Sequence, residues 1–284
     1  MKIILALYTM AAAFLITSCS KSTQDSALTR QTFLNVAYGS DPLQKADVYL
    51  PSNRSTTSTK TVIMIHGGAW SVGDKAEFNA FVDTLQRRLP DYAVININYR
   101  LASGNTNLFP TQENDVKTAL DFINSKRAEY NVADKFVLLG ASAGAHLAML
   151  QAYKYQSPVK IKAVVDFFGP SDMAAMYNDP APFAPPSSIA GVVGGTPTTM
   201  AALYQSSSPI NFINAQSPPT IIFQGGLDPL VKVSQSTTVR DKLTTAGVAN
   251  QYVFYPAGGH GDWDAATFTD AFNKIQSFLQ ANVQ

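Results

Sequence analysis

Apolar residues in this chain fall into two kinds of run. Val62-Ile63-Met64-Ile65, Ala93-Val94-Ile95-Asn96-Ile97, Phe136-Val137-Leu138-Leu139, Ile161-Lys162-Ala163-Val164-Val165, Thr220-Ile221-Ile222-Phe223 and Tyr252-Val253-Phe254-Tyr255 are short and nearly continuous. That is the pattern required of strands covered on both faces. Phe33 to Tyr38 and Lys45 to Leu50 flank the turn residues Gly39-Ser40-Asp41-Pro42 and predict an antiparallel start. Other runs have a helical period. Val116, Ala119, Leu120 and Ile123 fall at i, i+3, i+4 and i+7, with Asp115 placed to complement a helix dipole. Ala143 to Tyr155, Ser234 to Ala246 with Gly247 as its stop, and Ala265 to Gln280 predict further helices. The alternation implies one α/β domain over 31–284, a mostly parallel eight-stranded sheet with helices on both faces.

Two segments stand outside this alternation. From Met173 to Asn214 the chain carries Pro180, Pro182, Pro185, Pro186, Pro197 and Pro209, with room for at most short helices near Ile189 to Val193 and Thr198 to Tyr204. An insertion of this length, about 173–214, reads as a cap, lid or pocket wall. At the other end, Lys2, the apolar run from Ile3 to Ile16 and Thr17-Ser18-Cys19 have the layout of a signal peptide over 1–18, too short for a comfortable membrane span. Ile16-Thr17-Ser18-Cys19 resembles the bacterial lipobox, which makes Cys19, the single cysteine, the residue that would carry lipid. Residues 19–30 are small and polar and read as a flexible tether. A secreted, membrane-anchored bacterial lipoprotein is expected, touching the membrane only through Cys19.

Composition narrows the chemistry. Of 284 residues 46% are apolar, and 21 Lys plus Arg nearly balance 20 Asp plus Glu with no basic run, which argues against a nucleic-acid partner. One cysteine and three scattered histidines give no spacing for zinc, so neither metal nor cofactor is expected. What remains is chemistry by hydroxyl, carboxylate and imidazole.

Gly140-Ala141-Ser142-Ala143-Gly144 lies between a predicted buried strand and a predicted helix. In that setting a serine sits on a strained strand-to-helix turn, flanked by glycines because side chains there would strike neighbouring backbone. A serine hydroxyl needs an imidazole to take its proton. His260, in Ala257-Gly258-Gly259-His260-Gly261 after the last strand, lies at the sheet edge where reactive groups of open α/β folds gather. His66 ends a strand, and His146, one turn into the helix that Ser142 opens, reads as a packed residue. Asp228, in Gln224-Gly225-Gly226-Leu227-Asp228-Pro229, is the first choice to orient His260; Asp172 is second, and Asp262 and Asp264 are too close in sequence to His260 to aim well. His66-Gly67-Gly68-Ala69-Trp70 offers backbone donors at Gly67 and Gly68, and Ala143 at the helix start offers a third.

These residues resemble the α/β-hydrolase superfamily, in particular esterases with an HGG-type oxyanion motif, as in hormone-sensitive-lipase-like and feruloyl or acetyl-xylan carboxylesterases. The resemblance runs from Asp47-Val48-Tyr49-Leu50-Pro51 through His66 to Trp70, Asn98-Tyr99-Arg100-Leu101, Gly140 to Gly144, Phe168 to Asp172, Gly194 to Pro197 and Ser208-Pro209-Ile210 to Asp228 and His260. It implies Ser142 as nucleophile, His260 as base, Asp228 as its partner, and Gly67, Gly68 and Ala143 as oxyanion donors, with His66 and Arg100 structural. Ala102-Ser103-Gly104-Asn105 after Arg100-Leu101 favours the feruloyl and acetyl esterase-like relatives. An ester of a small molecule or carbohydrate is the implied substrate; an amidase or peptidase, or a non-catalytic ligand-binding protein of the same fold, are the alternatives. Tyr177, Phe183, Ile189 and Tyr204 of the insertion, with Trp70 and Trp263, are candidates to line an aromatic pocket or, equally, to pack.

Overall fold

The computed structural model describes residues 28–155 and 159–284. The expected signal peptide, Cys19 and most of the tether lie outside the described residues. Of the tether's end, the Leu28 carbonyl accepts from Asn53 N–H at 2.8 Å and the Thr29 carbonyl from Arg54 at 2.6 Å.

The strands are β1 (Gln31–Ala37), β2 (Lys45–Leu50), β3 (Lys60–Ile65), β4 (Tyr92–Ile97), β5 (Phe136–Ala141), β6 (Ile161–Phe167), β7 (Thr220–Gly225) and β8 (Asn250–Tyr255). The helices are α1 (Asn79–Arg88), α2 (Thr111–Ser125), α3 (Arg127–Tyr130), α4 (Ala143–Lys154), α5 (Met173–Asn178), α6 (Pro186–Val193), α7 (Ala201–Ser206), α8 (Val233–Thr245) and α9 (Ala265–Asn282). The sheet runs β1-β2-β4-β3-β5-β6-β7-β8, antiparallel at β1/β2 and β2/β4 and parallel elsewhere.

Period-two alternation within the continuous runs splits the core in two. Ile63, Ile65 and Leu138 point to the face covered by α2, α4 and α8, where Val116, Leu147 and Val239 meet them. Val62, Met64, Val137 and Leu139 point to the other face, covered by α1 and α9 through Val82, Leu85, Phe272 and Ile275. The chain leaves β3 toward β4 and returns on its other side to β5, so the strand order reverses between β3 and β5. A crevice opens at the carboxyl ends of such strands, and both Gly67-Gly68 and Ser142 follow them.

The insertion is more ordered than its prolines imply. α6 and α7 fall near the expected short helices, with Pro186 at the first helical position where its missing N–H costs nothing. α5 is not signalled by periodicity; Asp172 caps it, accepting from Ala175 N–H at 2.9 Å. Asp115 also differs from expectation. Fully buried, it sits within α2, not at its start, and accepts from Arg100, with Nη2 at 2.6 Å, and from Gln44 Nε2 at 2.8 Å. A carboxylate with no exposure stays charged only when so surrounded.

α4 is buried nearly all round, from Ala143 to Tyr153, between the sheet and the insertion. Its first turn lies so close to β3 that a Cβ on Gly144 would stand 2.0 Å from the Ile65 carbonyl oxygen, and one on Gly140 would stand 2.3 Å from Gly144 C and O. Asp166 of β6 lies behind this turn. Its Oδ1 accepts from Gly169 N–H at 2.7 Å, its Oδ2 has no partner among the described residues, and burial pushes its pKa up to about 7.

Gly144→Ala should lower unfolding free energy by at least about 2 kcal/mol, because backbone on both sides must shift; a melting temperature equal to wild type would contradict the packing described. For Asp166 the folded state holds its proton more tightly than the unfolded chain. Its contribution is therefore complete below pH 4 and lost as pH rises through about 7. Asp166→Asn should match wild type in thermal unfolding near pH 4 and exceed it by several degrees at pH 8, with a pH-independent difference as the contrary outcome.

Candidate active site

Ser142 joins β5 to α4 with φ 55° and ψ −122°, a conformation that a residue with a Cβ adopts only when its surroundings impose it. Its N–H donates to the Phe167 carbonyl at 2.9 Å and its carbonyl accepts from His146 N–H at 3.0 Å, so both sides of the turn are tied. The glycines at 140 and 144 permit the approach that imposes it. Ala69 (φ 47°), Trp70 (φ 58°) and Phe168 (φ 44°) share the left-handed region and line the same cavity as Ser142.

That cavity has a volume of about 570 Å³ and lies over the β3/β5 switch, with Ser142 and His260 both on its wall. His260 Nδ1 meets Asp228 Oδ2 at 2.7 Å, with the Asp228 side chain fully buried and the imidazole 14% exposed. Asp228 Oδ1 also accepts the N–H groups of Leu230 and Val231 at 2.8 and 2.9 Å, and Gln224 Nε2 lies 3.3 Å from Oδ2. Fixed this way, the carboxylate holds one ring nitrogen and leaves Nε2 of His260 free to accept a proton. Phe168 packs against the imidazole with the ring planes tilted by 49° and centroids 4.4 Å apart. The Ser142 hydroxyl makes no hydrogen bond among the described residues; contacts of this type commonly tighten only with substrate in place. The rival carboxylates serve elsewhere, Asp172 and Asp264 as caps of α5 and α9 and Asp262 at the surface.

The turn after β3 presents amides. No hydrogen bond among the described residues uses the N–H of Gly67 or Gly68, and Ala143, first in α4, has no acceptor within its helix. Tyr99 holds this turn: its hydroxyl donates to the carbonyls of His66 and Gly67 at 3.1 and 3.0 Å, and its ring stacks on His66 at 4.4 Å. Carbonyl and N–H of a trans peptide point in opposite directions. Anchoring these two carbonyls therefore turns the N–H groups of Gly67 and Gly68 away from Tyr99. A Cβ on Gly67 would lie 3.4 Å from the Ser142 Cβ, which shows how near this backbone runs to the serine. A hydroxyl, an imidazole braced by a carboxylate and a set of unpaired amides around one apolar cavity can together perform acyl transfer.

The other histidines have no such access. His146 is fully buried; Nδ1 accepts from Trp70 Nε1 at 3.1 Å and Nε2 donates to the Ser207 carbonyl at 2.7 Å, and burial pulls its pKa down to about 4. His66 is buried beneath Gly67, its Nδ1 donating to the Gly67 carbonyl at 2.8 Å. Among the expected pocket residues, Trp70, Phe183 and Ile189 line the cavity, Phe183 being 74% exposed at its mouth. Tyr177 and Trp263 do not. Tyr177 packs edge-on against Tyr204, and Trp263 turns inward, donating to the Gly259 carbonyl at 3.0 Å and packing against Phe168, so that it braces the loop carrying His260. The rest of the aromatic wall comes from Phe78, Phe81, Phe167, Phe168 and Phe268, which the sequence did not mark as pocket residues because each reads as core. Tyr99 escaped notice as the anchor of Gly67-Gly68 for a similar reason: nothing local marks where its hydroxyl ends.

Comparisons with known proteins agree with this architecture. Residues 46–243 match the BD-FAE family model. The probable carboxylic ester hydrolase LipM of Mycobacterium tuberculosis is 30% identical over 223 residues, covering 74% of this chain and 50% of that protein. Esterase LipC of the same organism is 25% identical over 80% of this chain and 59% of its own length, so the chain spans half to three fifths of these relatives. Of solved structures, a bifunctional GH43-CE protein of Bacteroides eggerthii superposes with a TM-score of 0.75 at 28% identity, covering 88% of this chain and 38% of that one. A truncated carbohydrate esterase from gut microbiota gives 0.75 at 28% identity over 87% of this chain and 96% of that one. With its sheet order, its glycine-flanked serine turn and the match over most of its length, the chain belongs to the BD-FAE family and has the α/β-hydrolase fold.

Proposed function

We propose that this protein is a serine carboxylesterase. The observation that carries the reading is the braced His260–Asp228 pair on the wall of the cavity that also holds Ser142 on its left-handed turn. Ser142 attacks the ester carbonyl while His260 Nε2 takes its proton; the alcohol leaves with that proton, and water activated by His260 then hydrolyses the acyl-enzyme. Negative charge on the carbonyl oxygen is met by the N–H groups of Gly67, Gly68 and Ala143, the last aided by the positive end of α4. Burial pushes the Tyr99 pKa upward, so its hydroxyl stays protonated as the anchor of the first two donors.

Substrate class follows from the wall. Phenylalanines dominate it, and Glu77 and His260 are its ionisable side chains. Such a cavity favours an uncharged acyl group, and its volume admits groups from acetyl to feruloyl. Similarity to an ester hydrolase and to carbohydrate esterases supports esters of small molecules or polysaccharides.

Ser142→Ala should lower kcat on an aryl acetate by roughly 10⁴-fold and abolish labelling by a fluorophosphonate probe without changing the fold. Retention of a tenth of the activity would falsify the nucleophile assignment, and faster turnover of an aminoacyl anilide than of the ester would make the enzyme an amidase. Asp228→Asn should cost about 10⁴-fold in kcat through the wrong His260 tautomer. Tyr99→Phe should lower kcat about tenfold with KM little changed, since it loosens the donors and not the cavity; equal effects on kcat and KM would assign Tyr99 a packing role only.

A further inference from the structure

His146 is a buried titratable group that the reaction leaves unused, and it sits between the two turns that build the site. Its N–H donates to the Ser142 carbonyl at 3.0 Å, so its backbone belongs to the turn that carries the nucleophile. Its side chain reaches the other way, to the end of the turn that carries the oxyanion donors. That turn is strained: Gly68 (φ 98°), Ala69 (φ 47°) and Trp70 (φ 58°) are left-handed in succession, and Ala69 and Trp70 each have a Cβ. Such a run persists only where its surroundings over-determine it. Tyr99 anchors its beginning through the carbonyls of His66 and Gly67. Its end is held at Trp70, whose carbonyl accepts from Ala102 N–H at 2.9 Å and whose indole Nε1 donates to His146 Nδ1 at 3.1 Å.

An indole N–H can only donate, so His146 Nδ1 carries the lone pair and the imidazole proton sits on Nε2. The Ser207 carbonyl, 2.7 Å from Nε2, fixes that tautomer, and the rings of Trp70 and Phe109 pack edge-on around the imidazole with centroids 5.1 and 5.7 Å away. Trp70 and His146 are both buried, so an indole deprived of this acceptor has no solvent at hand to replace it. We propose that His146 is a positioning residue for the oxyanion donors. By fixing the Trp70 indole it holds the turn over 68–70, and so keeps the N–H groups of Gly67 and Gly68 aimed beside Ser142, without touching the substrate. It also joins the two turns into one unit, being bonded to Ser142 through its backbone and to Trp70 through its side chain. This role rests on the esterase reading and adds the residue that keeps its electrostatic donors in place.

Three variants of the purified protein separate this role from packing. His146→Asn places an amide oxygen near the position of Nδ1 and keeps an acceptor for the indole. His146→Gln places its amide near Nε2, which keeps the bond to Ser207 and leaves the indole unpaired, and Trp70→Phe keeps an aromatic ring but removes the donor. On 4-nitrophenyl acetate, His146→Gln and Trp70→Phe should each lower kcat by about tenfold with KM within about threefold of wild type, whereas His146→Asn should hold kcat within about threefold. A trifluoromethyl ketone, which Ser142 converts to a tetrahedral oxyanion, should bind about tenfold more weakly to His146→Gln and Trp70→Phe, in step with kcat. Combining those two substitutions should cost little more than either alone. If kcat and ketone affinity stay at wild-type values in both, or if His146→Asn and His146→Gln lose equally, His146 only packs and the esterase reading survives. Should His146→Gln fail to fold, Trp70→Phe with the ketone decides by itself. If wild type turns over no ester and the fluorophosphonate fails to label it, both readings fall.

Discussion

The rest of the structure depends on how closely α4 runs beneath β3. Gly140 and Gly144 let backbone meet backbone at distances a single methyl group would forbid, and that approach forces Ser142 into a left-handed turn at the rim of the sheet. Relaxing the approach would let the serine fall back to an ordinary conformation and withdraw its hydroxyl from the cavity. It would also move Ala143, whose amide opens the helix, away from the turn after β3. Strain at one residue is sustained because both flanking elements are among the most deeply buried in the molecule.

The sheet supplies the second constraint. Reversal of strand order between β3 and β5 leaves a crevice that no crossover helix covers, and the loops that follow β3, β5, β7 and β8 converge there from distant parts of the chain. Each arrives with its own brace. Tyr99 anchors the carbonyls after β3, the amides of Leu230 and Val231 fix Asp228 after β7, and Trp263 holds the loop of His260 after β8. The insertion completes the enclosure with Met176, Phe183, Ser188 and Ile189, so its short helices act as wall.

Polar groups buried around this region divide by whether they are satisfied. His146 bonds through both nitrogens, and Asp115 meets a guanidinium; both act as fixed struts. Asp166 is left with one oxygen unpaired, and burial moves its protonation toward neutrality in place of a partner. Among the described residues, the groups left free at the surface of the cavity include the Ser142 hydroxyl, His260 Nε2 and the amides of Gly67 and Gly68, a set that a reacting ester can use.

Continuous apolar runs, helical periods and turn residues determined all eight strands and helices α2, α4, α8 and α9 within a few residues, because short β-branched runs bounded by turn residues and repeats of three to four residues are local properties of the chain, whereas α1 was not located. α5 left no such trace, being six residues held by one cap and by its neighbours. The glycine pattern around residue 142 and the loop positions of 228 and 260 were likewise readable, since backbone clearance and strand ends are local properties. What tertiary structure alone decided was which side chains share a space: five phenylalanines that read as core line the cavity, while Tyr177 and Trp263 turn away from it. A residue's type fixes whether it must be buried, but against what is settled by elements far apart in the chain, and that distance is why the wall of the site could not be read from the sequence.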